Sequence, residues 1–544
     1  MWKIRLQSSL SLGTFYLFLL LLVACDENQH KKNQNLKIFK YNRTSGISST
    51  DPAFAKDQSN IWCVNHLYTG LLQLDNQLNV VPSIAKSWTI SPDGLQYTFT
   101  LREDVKFMDD DCFENGKGRR VLATDIEYSF ARLINPTLAS PGAWIFNGKV
   151  ADKNPFKALN DNTFQLTLKT PFPPMLSMLT MQYAFIVPKE AVEKYGVEFR
   201  NHPVGSGPFK LKTWEEGNSM YLVKNENYYE MEGHTRLPYL DGIKISFIDN
   251  KKTEFLSFKE GNLHFISGID ASYIDEVLND DGSLKDIYKG KFMLMKCAYL
   301  NTEYLGFLMN NKGLKALQSK QIRQAINYGF DRNSIITYLR NTVGKPSTAG
   351  FIPVGLPCFD ATKVQGYSYD IEKSKALLMQ AGFPGGEGLE PITLYTNESY
   401  KDVAEYISKE LSKIGLVVRV ELTPPALLRE WMSQEKAGFF RGSWIADYPD
   451  GESYLCMFYS KNTAPPNYTR FSNVAYDKLY EAALLENNIE KRYELYHQME
   501  QIIIDEAPVV PLYYDEVLRF TRNNVKGLEP NALNLLDLRR VKLD

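Results

Sequence analysis

One short stretch carries the residues best placed to do chemistry: Phe439-Phe440-Arg441-Gly442-Ser443-Trp444-Ile445-Ala446-Asp447-Tyr448-Pro449-Asp450-Gly451. It gathers a cation, two carboxylates and four aromatic side chains, then runs into a Pro-Asp-Gly turn signal. A carboxylate set among aromatics is unfavourable unless a cation meets it, so either Arg441 neutralises Asp447 or a ligand cation does. Trp444 fits a core and a cleft wall equally well, and Asp450 reads as a turn residue.

Catalytic motifs are missing elsewhere. The sequence has no Gly-x-Ser-x-Gly elbow, no His-Glu-x-x-His and no phosphate loop, and its six His residues are scattered singly. Gly385-Gly386-Glu387-Gly388 follows a helical pattern instead of opening one and lacks the Lys-Ser/Thr a phosphate cradle needs. Asp109-Asp110-Asp111 lacks the alternating spacing of a calcium loop and reads as part of a solvated segment. No enzyme activity, cofactor or metal is therefore expected from these motifs.

The 544 residues, 44% hydrophobic and 23% charged, suffice for two or three globular domains. A net charge of -2 supplies no basic field, which argues against a nucleic-acid partner. The first residues read as an address: Lys3 and Arg5 precede an apolar run from Leu10 to Val23, and Leu22-Val23-Ala24-Cys25 closes it. This resembles a bacterial lipobox, which implies a signal peptide over 1–24, lipidation of Cys25 and a polar tether over 25–35. A plain signal peptide or signal anchor is the alternative. Of the five remaining cysteines, Cys63, Cys112, Cys297, Cys358 and Cys456, no two are closely spaced. A zinc or Cys-x-x-Cys site is not indicated; an exported chain permits one or two disulfides with at least one thiol left over, and buried free cysteine is the expectation for most of the five.

The elements that must position the central stretch follow from periodicity. Ile61, Val64, Leu67 and Tyr68 predict a helix from about Ser59 to Gly70. Ser87–Ile90 and Tyr97–Leu101 flank Ser91-Pro92-Asp93-Gly94 as a hairpin. Thr124-Asp125-Ile126-Glu127 reads as a capping box opening a helix with Ile126, Phe130 and Leu133 on one face. Asp331 reads as the N-cap of a helix running to about Leu339, and Asp370 starts another that Gly382 and Pro384 stop.

Several blocks also carry a resemblance. Val81-Pro82-Ser83-Ile84-Ala85-Lys86-Ser87-Trp88, Val105-Lys106-Phe107, Pro203-Val204-Gly205-Ser206-Gly207-Pro208-Phe209, Asn225-Glu226-Asn227-Tyr228-Tyr229 and Ile322-Arg323-Gln324-Ala325-Ile326-Asn327-Tyr328 stand in the order of one family. Together they resemble the family 5 solute-binding proteins of peptide-importing ABC transporters. A longer segment, Met108 to Arg120, replaces the short turn typical of that family. Gly205 and Gly207 read as a close backbone approach or hinge.

The resemblance implies a mixed α/β, periplasmic binding protein-like fold of two lobes built from three domains. Domain I would comprise 36–72, 202–297 and 507–544, domain II 73–201 and domain III 298–506. It implies a monomer in the cell envelope, held to the membrane through its lipid anchor, that captures a peptide and hands it to an ABC permease and its ATPase. Asp447 takes the position that holds a peptide's α-amino group, and Arg441 one that meets a peptide carboxylate or tunes Asp447. The same fold with a metal chelate or a sugar as cargo is the alternative, and a secreted hydrolase a remote one.

Overall fold

The computed structural model describes residues 36–310 and 315–544, so the leader, Cys25 and the tether lie outside the described residues. β1 (Ile38–Asn42) is followed by α1 (Gln58–Leu67), whose N-cap Asp57 accepts from the Asn60 N–H at 3.1 Å. The helix stops at Leu67, short of Gly70, because Tyr68 turns extended and the Leu67 carbonyl accepts from the Gly207 N–H at 3.0 Å. A Cβ at Gly205 or Gly207 would fall well inside van der Waals contact with the Leu67 carbonyl. Close approach, and not a left-handed backbone, therefore requires glycine here. Gly207→Ala is expected to destabilise the protein by about 1–3 kcal/mol through overpacking, seen as a lowered thermal midpoint.

β2 (Ala85–Ile90) and β3 (Gln96–Leu101) form the expected hairpin, with Trp88 opposite Phe99 and Gly94 in the left-handed region of the turn. α2 (Ala123–Leu133) buries Ile126, Phe130 and Leu133 as expected, but its cap differs from the Thr124–Glu127 box. Leu122 occupies the N-cap, and the Asp125 carboxylate accepts its N–H at 2.8 Å. Glu127 instead accepts from the Ala158 N–H at 2.8 Å. That bond ties α2 to β4 (Phe156–Asn160), which with β5 (Thr163–Thr167) completes a four-stranded sheet ordered β2-β3-β5-β4. The segment after Phe107 is pinned, not loose. Asp109 pairs with Lys117 at 2.8 Å, and Arg119 pairs with Asp125 and Glu190, both at 2.7 Å.

The large sheet adds β6 (Phe209–Glu215), β7 (Ser219–Lys224), β8 (Gly242–Ser246), β9 (Phe265–Ser267) and the 16-residue β10 (Phe292–Phe307). Its second part contains β11 (Ile392–Thr396), β12 (Val418–Leu422), β13 (Phe439–Ile445) and β14 (Val509–Arg522). The order is β12-β11-β13-β10-β14-β9-β1-β8-β7-β6, and Lys345–Pro346 pairs with β14 off this path. Before the last strand, α3 (Ile489–Glu506) packs over the second part.

β10 and β14 belong to both parts. Phe292 to Ala298 pairs with Arg522 to Glu516, the register then breaks, and pairing resumes from Thr302↔Tyr514 to Gly306↔Val509. β9 joins β14 on the first side of this break, through Thr521, Phe520 and Arg519, and β13 joins β10 on the second. An irregularity of this kind bends and twists a strand pair locally, so the sheet divides into two wings. Their cores divide with it: Tyr41, Trp62 and Phe209 share one cluster, while Phe351, Phe440 and Phe458 share another.

Asp331 caps Asn333 at 2.9 Å, and Ile335–Leu339 continues with the wider π-helical turn. Asp370 caps Ile371–Gln380 through the Lys373 N–H at 2.9 Å. Cys63, Cys112, Cys297, Cys358 and Cys456 are all free thiols.

Candidate functional site

β13 pairs along its whole length with β10, from Asn301↔Ile445 to Phe307↔Phe439. Its other edge meets β11 only at Phe439 and Phe440, so from Arg441 to Ile445 no strand among the described residues covers it. Unpaired N–H and C=O groups along such an edge are a ready template for another extended chain. Alternation puts Arg441, Ser443 and Ile445 on one face, with Ser443 and Ile445 exposed, and Gly442 and Trp444 on the other.

Past Ile445 the chain is held at each step. The Ala446 N–H donates to the Leu300 carbonyl at 2.9 Å, and Trp444 Nε1 donates to the Ser453 carbonyl at 2.6 Å. Half-buried Trp444 therefore packs as a brace for the turn on the second wing. Tyr448 reaches the other wing, joining its core cluster 6.3 Å from the ring of Trp144. Asp450 is buried and caps Glu452 at 2.9 Å, accepts from the Tyr496 hydroxyl at 2.7 Å and lies 3.6 Å from Arg492. Its role is a buried cap with its own cation, more than the turn residue expected from its sequence.

Asp447 stands between these anchored groups. Its side chain opens to solvent, yet the protein on its flanks removes enough water to push its carboxyl up to about 6. Only its backbone is engaged, its N–H donating to Ser453 Oγ at 3.3 Å. Its charge is felt by Tyr183 on the opposite wing, whose hydroxyl is raised by burial and then by Asp447.

Arg441 does not neutralise Asp447. Its guanidinium bonds the carboxylate of Glu303, a β10 side chain only 2% exposed, and lies over the Tyr400 ring with Cζ 3.4 Å from the centroid. Burial raises the Glu303 carboxyl, against the pull of Arg441. Tyr400 donates to Glu303 at 3.2 Å, and Asn301 Nδ2 donates to Glu303 at 3.0 Å and to Asp515 at 3.2 Å. Asp515 in turn binds Arg340 at 2.6 Å, and Arg340 lies 4.5 Å over Tyr513. The alternatives open at Arg441 and Asp447 thus resolve into an ion pair of Arg441 with Glu303, in which the buried Arg441 Nε stays without a partner, and an unpaired carboxylate at Asp447. Glu303 and Tyr400 escaped sequence reasoning, since Glu303 is 138 residues from Arg441. The available signal was Glu303 as the single charged residue between Tyr299 and Leu308, a stretch otherwise rich in aromatic and aliphatic residues, where a carboxylate demands a partner.

Among the described residues no group of three or more His, Cys, Asp and Glu is arranged to hold a metal ion. A separate cavity of about 100 Å³ lies between the end of α1 and the 531–539 segment, lined by His66, Asp537 and Arg539 among others and by none of Arg441, Trp444 or Asp447. Burial lowers His66 there to about 4.

A sequence model of the bacterial extracellular solute-binding proteins, family 5, matches residues 79–466. The chain belongs to this family. Within it, the Dipeptide-binding protein DppE of Bacillus subtilis is 26% identical over 531 residues, 93% of this chain and 92% of that protein. Heme-binding protein A of Haemophilus influenzae is 28% identical over 474 residues, 82% of this chain and 81% of that protein. The solved structure of the periplasmic binding protein DppA from Helicobacter pylori, in complex with the peptide STSA, superposes with a TM-score of 0.72 at 25% identity, covering 94% of this chain and 99% of that one. Family 5 proteins bind solutes outside the cytoplasm, and in this family member β13 presents an open strand edge that leads to an unpaired carboxylate.

Proposed function

We propose that this protein is the peptide-capturing component of an ABC importer, and that Asp447 anchors the α-amino group of its cargo. The observation that carries this reading is an unpaired carboxylate at the end of an uncovered strand edge. An ammonium meets the charge, and the main chain that follows it can add to β13 in extended form. Such recognition is indifferent to side-chain sequence. Names of relatives support the class, since DppE is named for dipeptides and DppA was solved with STSA.

The register break between Ala298 and Thr302 supports a boundary between domains I and III near residue 298, where one wing would rotate on the other to close on cargo. In the same reading Cys25 is lipidated and tethers the chain to the membrane, and the closed monomer presents its peptide to a permease driven by an ATPase. A second reading keeps the fold and changes the cargo to a non-peptide solute, which the likeness to Heme-binding protein A favours.

Calorimetry with peptides and their N-acetylated forms decides between them. Free peptides are expected to bind and acetylated ones to fail. Equal binding of both forms, or binding only of a non-peptide solute, would reject the amine anchor.

A further inference from the structure

We propose that Glu303 sets the specificity of this site by pairing with the charge of Arg441, so that cargo is fixed at its amine end and along its main chain while its carboxyl end is not read. This rests on Asp447 as the amine anchor and adds what the other end of the site does. Of the charged side chains between Phe439 and Gly451, Arg441 pairs with Glu303 and Asp450 lies beside Arg492, which leaves Asp447 alone without a counter-ion.

The geometry makes the masking durable. Arg441 lies opposite Leu305 in the β10–β13 ladder, so Glu303 reaches it from the diagonal position on the neighbouring strand. Tyr400 covers one face of the guanidinium and also bonds Glu303, fixing both partners. Arg340 is paired with Asp515 in the same way, and Asn301 bridges the two acids. Two cations and two carboxylates are therefore paired in charge, although Arg441 bonds Glu303 through one nitrogen only and its buried Nε has no partner. A ligand carboxylate arriving here would have to displace Glu303, already desolvated and in place, or settle beside it as a second negative charge. Either arrangement is unfavourable: the first strips a buried acid of its partner and the second adds like-charge repulsion.

Distance brings the question within reach of real cargo. From Ile445 back to Arg441 the strand runs four steps, roughly 13 Å, with Asp447 two residues beyond it, so a peptide of about four to six residues anchored at Asp447 reaches Arg441. Were Arg441 free, peptides of that length would bind tightly as free acids and poorly as amides. With Glu303 in place the terminal group should not matter.

The test is calorimetry on the full chain in detergent solution, using oligo-alanine peptides of graded length up to and beyond that span, each as free acid, C-terminal amide and N-acetylated acid. The protein as it stands should bind acid and amide within about twofold at every length, whereas Glu303→Gln should prefer the acid by about tenfold or more once the peptide reaches Arg441, the worth of one charge-assisted bond. Glu303→Asp keeps the charge but draws it back by one methylene, and should show the same preference in weaker form if Glu303→Gln does not fold. A strong acid preference in the unsubstituted protein overturns the proposal, as does indifference to the terminal group in a folded variant at Glu303. If no oligo-alanine binds, or N-acetylation is without effect, the amine-anchor reading fails first and this inference falls with it.

Discussion

Asp447→Asn is expected to weaken peptide binding by about tenfold or more at neutral to mildly alkaline pH, because losing a charge-assisted bond to an ammonium costs about 1.5 kcal/mol even at a carboxylate open to solvent. Asparagine keeps the size and the backbone bond to Ser453 but removes the charge that meets the ammonium. The pH dependence identifies the group. Surrounding protein raises the Asp447 carboxyl to about 6, so acidification through that value protonates the anchor. Below it, affinity should fall about tenfold per pH unit, and it should fall again above about pH 8 as the peptide's α-amino group loses its proton. The Asn variant should lose the acid limb and keep the alkaline one. Calorimetry of one peptide across this range reads both limbs, and an acid limb that survives in Asp447→Asn assigns the titration to another group.

How much of this could be read from residues alone depends on how far apart the partners sit. Gly207 could be assigned a close approach from its place in a Pro-Val-Gly-Ser-Gly-Pro run, and the hairpin around Ser91–Gly94 from its turn chemistry, because both causes are local. The cap of α2 was misplaced by two positions, although its cause is also local: Thr124 followed by Glu127 has the right spacing, but Asp125 reaches back to Leu122 and leaves Glu127 to bond Ala158 of β4. A competing local bond wins there, and a distant N–H takes up the Glu127 carboxylate.

At the site, Asp447 was legible as a carboxylate needing a cation, whereas the identity of Arg441's partner was not. Glu303 comes to Arg441 through the antiparallel ladder of β10 and β13, and Tyr400 through the loop after β11. No spacing rule joins strands so distant in the chain. The register break in β10 and β14 was equally hidden, since Ala298 to Thr302 reads as ordinary strand sequence and the irregularity exists only in how two strands meet.

The junction itself contains a group whose ionisation should be visible in stability. Glu500 of α3 is buried, and one oxygen accepts from the N–H groups of Phe351 at 2.8 Å and Ile352 at 2.7 Å. The Phe351 carbonyl in turn accepts from Thr302 Oγ1 at 2.9 Å, at the point where β10 resumes its pairing after the break. Burial pushes the Glu500 carboxyl to about 8 from an ordinary 4.5, overcoming the two N–H bonds that favour its ionised form. In the folded protein it therefore keeps a proton that the unfolded chain releases. Its contribution is fully present below the unfolded value of 4.5 and is lost as pH rises toward 8, at about 1.4 kcal/mol per unit and about 4–5 kcal/mol in all. Glu500→Gln keeps an acceptor oxygen for both N–H groups and cannot ionise. The variant and the unsubstituted protein should thus have similar denaturant midpoints near pH 5, and the variant should become the more stable by several kcal/mol near pH 8. Parallel stability profiles for the two chains would show that Glu500 is not the titrating group, and that the strand junction is held by something other than a neutral carboxylic acid.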